Sequence, residues 1–187
     1  DRIRKAREAA ERKALIERER AARADELEAA NKVLSVRDKW LQTTAAAANE
    51  LLSTTDVPAS VNAALATIGE NLECDRVSVM QHIVDDNAAS DADELGIMRL
   101  LYEWDAEGIA AQNDNPNLRD ISADGVEDWF RQILAGQSVG GLVEALEEPF
   151  RSSMQSLNVK STYAVPVFVE GKIWGMVGMD HCRESRQ

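Results

Sequence analysis

The 187 residues suffice for one domain with a full hydrophobic core plus an appendage, and they carry a formal net charge of -12. Residues 1–30 hold nine Lys/Arg and eight Asp/Glu, so 12 basic groups face 25 acidic ones in the rest of the chain. A body so acidic repels phosphate backbones and anionic lipid heads, which argues against a nucleic-acid partner, and no apolar run approaches the roughly 20 residues that span a bilayer.

In chain order, the first element is a long helix. Residues 1–52 contain neither Gly nor Pro and are dominated by Ala, Glu, Arg, Lys and Leu, the strongest helix formers. Leu27, Leu34, Leu41 and Ala48 recur every seven residues, and Ala22, Ala29, Val33, Val36 and Trp40 widen the stripe. A seven-residue repeat calls for a partner helix in a left-handed supercoil. The expectation is a homodimer through this helix from about residue 22, with Leu27, Leu34, Trp40, Leu41 and Ala48 at the seam, preceding a domain over 53–187.

"LLSTTDVPAS" breaks the helix, and Asp56 can cap a second one, with Pro58 tolerated in its first turn. Val61, Ala64, Leu65, Ile68 and Leu72 follow at helical spacing, predicting an amphipathic helix over 57–72. Alternation in "RVSVMQHIV" (76–84) and "GIMRLLYEWD" (96–105) predicts two strands joined by the polar loop 85–95. A long Asn-, Asp- and Gly-rich loop (106–125), a short helix closed by Gly136, a short strand in "SVGGLVEA" and a helix in "LEEPFRSSMQSLNV" come next. Long loops of this kind usually cover a site or a partner surface.

The chain ends on "VPVFVEGKIWGMVGMDHC" (165–182), two apolar runs around a Glu-Gly-Lys turn that read as a β-hairpin. Gly175 and Gly178 interrupt its second strand, where glycine marks the close approach of something else; a helix or a ligand is the expected occupant. The fold class is therefore α+β, an antiparallel sheet with amphipathic helices on one face and loops with short helices on the other.

This hairpin, together with "CDRVSVMQH" and "YEWDAEGI", resembles the GAF domain, of the type found in multidomain bacterial sensor proteins ahead of histidine kinase or nucleotide cyclase modules. The resemblance spans about residues 40–187. It implies a cytoplasmic regulatory module of a signalling protein, for example a two-component sensor. That module would have a small-molecule pocket on one sheet face, dimer contacts through its helices, and neither catalysis nor cofactor within this stretch. The start at Asp1 with no signal-peptide pattern fits a piece of a longer protein without direct membrane contact of its own.

The residues themselves narrow the chemistry. Cys74 and Cys182 fit a reducing compartment rather than a disulfide scaffold. His181 and Cys182 are neighbours on a strand and point to opposite faces, so they make a poor metal pair. The same two residues leave a thiol-dependent methionine sulfoxide reductase as a remote alternative. A bilin-attaching Cys-His pair on a helix and a cyclic-nucleotide signature have no counterpart. There remains a pocket walled by aromatic and apolar side chains, for which the candidates are Tyr102, Trp104, Trp129, Phe130, Phe150, Met154, Tyr163 and Val165. The competing reading is a ligand-free dimerisation or scaffold module.

Overall fold

A computed structural model describes residues 2–84 and 95–186; the polar loop expected at 85–95 lies outside them, save Leu95. Helix α1 runs unbroken over Arg2–Leu52, as the absence of Gly and Pro dictates. The chain divides into two compact units, Asp1–Gln42 and Thr43–Gln187. The first is helix alone, with Leu27, Leu34, Trp40 and Leu41 all exposed. In the second, the last turns of α1 bury Thr43 and Ala47 while Ala48 stays exposed.

Helix α2 spans Val57–Leu72. Asp56 caps it, its carboxylate accepting from Ala59 N at 3.1 Å and so satisfying one of the first-turn N–H groups that lack helical partners. At the other end Glu73 adopts φ 58 and Cys74 N donates to Gly69 O at 2.9 Å, which closes the helix and turns the chain into the sheet.

Six strands are described: β1 Arg76–Ile83, β2 Ile97–Asp105, β3 Asp120–Ser122, β4 Val139–Leu142, β5 Ser161–Val169 and β6 Lys172–His181. They form one antiparallel sheet in the order β3-β2-β1-β6-β5-β4. The expected α+β class is what the fold shows. The long loop holds two elements not foreseen, helix α3 (Pro116–Arg119) and strand β3. Helices α4 (Glu127–Leu134) and α5 (Phe150–Ser156) follow on either side of β4.

The two sheet faces carry separate cores. On one face Val61, Leu65, Ile68 and Leu72 of α2 pack over Val77, Val79, Tyr102, Trp104, Tyr163, Val165, Val177 and Met179. On the other, Phe130 and Ile133 of α4 pack over Met80, Met98, Ala164 and Met176. Phe130, Ile133, Val77 and Met98 are fully buried, and each such side chain contributes about 1.5–3 kcal/mol.

A bulge decides which residues face which core. Val79 pairs with Tyr102 but Met80 pairs with Leu100, so Leu101 is an extra residue in β2. Side chains alternate strictly along a strand, so one inserted residue exchanges the faces beyond it. Met98 and Leu100 point to the α4 side, and past the bulge Glu103 and Asp105 take that side, leaving Tyr102 and Trp104 beneath α2.

The two glycines of β6 both lie against β1, and Gly178 also lines the cavity between the sheet and α4/α5. A Cβ at Gly175 would stand 2.0 Å from Met80 O, and one at Gly178 would stand 2.7 Å from Ser78 Oγ.

Candidate functional site

Between the sheet and the helices α4 and α5 lies a cavity of about 80 Å³. Its wall is apolar, made by Met80, Met98, Leu100, Ala164 and Met176 of the sheet and by Trp129, Phe130, Phe150, Met154 and Leu157 of the helices. Trp129 packs against Phe150 and Phe130 with ring centroids 5.4 and 6.2 Å apart, both tilted, the arrangement aromatic pairs favour. Trp129, Phe150 and Val126 also line an outer groove of about 410 Å³, so the indole and the phenyl ring stand between groove and cavity. Helix α5 carries no fully buried residue. The indole N–H of Trp129 is buried with no acceptor among the described residues.

The other end of the cavity is charged. Arg76, at the start of β1, has a side chain only 5% exposed and lies among three carboxylates. Its Nε donates to Asp105 Oδ1 at 2.9 Å and its Nη2 to Ala110 O at 2.8 Å. Glu103 Oε2 is 3.7 Å from Nε and Asp180 Oδ2 is 3.5 Å from Nη1. Glu103, 2% exposed, also accepts from Gln112 N at 2.6 Å, which ties the long loop to the floor of the site.

One guanidinium does not balance three carboxylates drawn from water, so Glu103 and Asp180 bind protons more tightly than exposed acids do. Burial pushes Glu103 up to about 7; the Gln112 N–H opposes the shift, and a hydrogen bond to Asp105 that only the protonated acid can donate reinforces it. Burial also raises Asp180, against the opposing pull of Thr162 and Arg76. Arg76 remains a cation, its own burial outweighed by the Asp105 bond and the carboxylates around it.

The structure brings half of the sequence candidates together. Trp129, Phe130, Phe150 and Met154 line the cavity. Tyr102, Trp104, Tyr163 and Val165 do not; they lie on the opposite face, packed against α2. The Leu101 bulge turns the first two away, and on β5 Thr162 and Ala164 take the cavity side, which sends Tyr163 and Val165 to the other. The polar residues Arg76, Glu103, Thr162 and Asp180 were missed. For Arg76 and Glu103 a signal was present in "DRVSV" and "YEWD", where charged residues sit inside apolar strands.

The tail beyond β6 is held by Asp75, whose carboxylate accepts from Cys182 N at 2.7 Å, Arg183 N at 2.9 Å and Arg183 Nη1 at 3.0 Å. Neither thiol lines the cavity. Burial, with the Asp180 carboxylate adding to it, pushes Cys74 up to about 11; burial likewise raises Cys182 to about 11 although Arg76 opposes it. A nucleophilic cysteine needs the reverse. Among the described residues no three His, Cys, Asp or Glu are arranged to hold a metal ion, and no helix is long and apolar enough to cross a membrane.

A family model described as "GAF domain" matches residues 56–187, α2 and the whole sheet. The chain belongs to the GAF family. Its sequence is 31% identical over 151 residues to the "Methanogenesis regulatory histidine kinase FilI" of Methanothrix harundinacea (strain 6Ac). That match covers 80% of this chain and 16% of the relative, so the GAF chain spans about a sixth of that protein's length. Solved structures share the fold. A far-red-absorbing dark-state protein with bound biliverdin IXα superposes with a TM-score of 0.56 at 14% identity, over 75% of this chain and 83% of that one. The phycocyanobilin-bound GAF domain of a cyanobacterial phytochrome gives 0.54 at 16% identity, over 81% of each chain.

A bilin does not fit this GAF domain as it stands. Sites for drug-sized ligands occupy roughly 300–1,000 Å³, against about 80 Å³ here, and no cysteine reaches the cavity to attach one.

Proposed function

We propose that this GAF domain is the sensory module of a multidomain signalling protein, binding a small molecule between the sheet and α4/α5 and relaying occupancy through a dimeric α1. The observation that carries the reading is the cavity itself: aromatic walls at one end and, at the other, a buried charge cluster that touches β1, β2, β5 and β6 at once. A guest that alters Arg76 or its carboxylates acts on four strands of the sheet whose opposite face carries α2, and packed elements of this kind answer by shifting between discrete arrangements. The likeness to a histidine kinase supports a kinase-type output, with the catalytic module outside this stretch. Two free cysteines support a cytoplasmic setting.

Native mass spectrometry of gently isolated protein tests the reading. A stoichiometric small-molecule adduct that is lost on unfolding is the expected result. A bare polypeptide mass, with no compound in a metabolite panel raising the melting temperature, would overturn it. That outcome would favour the scaffold reading, which the small volume of the cavity supports.

A further inference from the structure

We propose that the cavity recognises a small organic ammonium ion, with its head between Glu103 and Asp180 and its short apolar body against Met98, Trp129 and Phe130. The inference rests on the cavity being the sensory site.

Charge selects the sign of the guest. Arg76 is committed to the cluster through Asp105, Ala110 O and Asp180, so it offers no ready partner for an incoming anion, which would be a fourth negative group around one cation. A neutral guest leaves the imbalance as it is. An ammonium corrects it by taking the place of the proton that Glu103 otherwise retains, and buried charges persist where they are paired and hydrogen-bonded.

Size and wall chemistry select its body. A dry cavity of about 150 Å³ admits benzene, so about 80 Å³ corresponds to roughly three or four non-hydrogen atoms. Trp129 and Phe130 supply aromatic walls, and methionine side chains from β1, β2 and β6 supply a polarisable floor; both suit a short alkyl tail.

Binding is pH-dependent through the groups that face Glu103: Arg76 on β1, Asp105 on its own strand, Thr162 on β5, Asp180 on β6 and the Gln112 N–H from the loop. Below neutrality the proton and the ammonium compete for one place.

The probes are n-propylammonium, 1-propanol and propionate, equal in chain length and different in charge, added to the intact chain with carbon-13-labelled methionine methyls. Expected are saturable shifts of the cavity methionine methyls with propylammonium at least tenfold more tightly than with either analogue, and affinity about tenfold weaker at pH 6 than at pH 8. Glu103→Gln, an isostere of the protonated acid, is expected to weaken propylammonium binding and abolish its pH dependence while circular dichroism stays native; Asp180→Asn serves as a second variant, expected to weaken binding while the pH dependence set by Glu103 persists. Propanol or propionate binding as tightly as the amine would overturn the ammonium assignment and leave the sensory reading standing. So would a co-purified ligand without an amine. Failure of all three probes together with a ligand-free native mass spectrum would overturn both.

Discussion

Gly69 of α2 rests on the indole of Trp104: a Cβ at position 69 would stand 2.0 Å from Trp104 Cζ3, 2.3 Å from Cε3 and 2.7 Å from Cη2. Glycine inside a helix costs about 1 kcal/mol relative to alanine, so its presence here reflects the close seating of α2 on the sheet. Gly69→Ala is therefore expected to destabilise by about 1–3 kcal/mol despite its better helix propensity, because the added methyl would overlap a ring packed into the α2-side core. Urea unfolding measures it. Trp104→Leu in the same chain should remove most of the penalty, and a Gly69→Ala variant more stable than wild type would show that α2 does not sit this close.

Arg76 is the one cation among the described residues inside the carboxylate cluster, so its removal is expected to be severe. Arg76→Met leaves Glu103, Asp105 and Asp180 facing one another without the guanidinium, and breaking a buried ion pair by deleting one partner costs about 3–5 kcal/mol. The loss should be larger at pH 8 than at pH 6, because the carboxylates relieve their repulsion by taking protons. Equal losses at the two pH values would show that the carboxylates do not interact.

The stability of the wild type should fall as pH rises towards and through neutrality. Glu103 binds its proton more tightly when folded, with the carboxyl raised from 4.5 to about 7, so from about pH 4.5 to 7 the folded state holds the proton that the unfolded chain releases. Stability therefore declines as pH rises across that window. Asp75 works oppositely. Burial raises it, but the Arg183 and Cys182 backbone N–H groups and the Arg183 guanidinium together hold it below 3.8, so its contribution is present above that value and is lost as pH falls through the lowered one. Urea midpoints should accordingly be highest in mildly acidic buffer. Glu103→Gln should flatten the decline towards pH 8, and an unchanged profile in that variant would remove Glu103 as its cause.

What was legible in the sequence follows physical lines. α1 and α2 were readable because helix signals are local: an uninterrupted run of helix formers in one case, and in the other Asp56, Pro58 and a 3.6-residue apolar period. The hairpin was readable because its turn and alternation are contiguous. The faces were not, because Leu101 inserts one residue into β2 and no local signal announces a bulge between two apolar residues. That one insertion moved Tyr102 and Trp104 out of the expected pocket and Glu103 into it. Gly175 raised a sound question with the wrong answer, since what approaches it is β1 itself, whereas Gly178 does line the cavity. Strand β3 escaped because three residues are too few for a period to show.

The α1 seam makes the remaining prediction. Leu27, Leu34 and Leu41 are 64%, 55% and 59% exposed on a helix of 51 residues, and leucines at seven-residue spacing contribute little to a lone helix in water. Pairing with a second copy would bury each of them against its equivalent, contributing about 1.5–3 kcal/mol per fully buried side chain. Light scattering is expected to report a dimer at tens of micromolar. Leu34→Lys should convert it to monomer without altering the melting of the residue 43–187 unit, whose core that side chain does not enter. Lysine at a seam position places two charges in an apolar interface. A wild-type chain that stays monomeric, or a Leu34→Lys chain that stays dimeric, would move the contact away from this stripe.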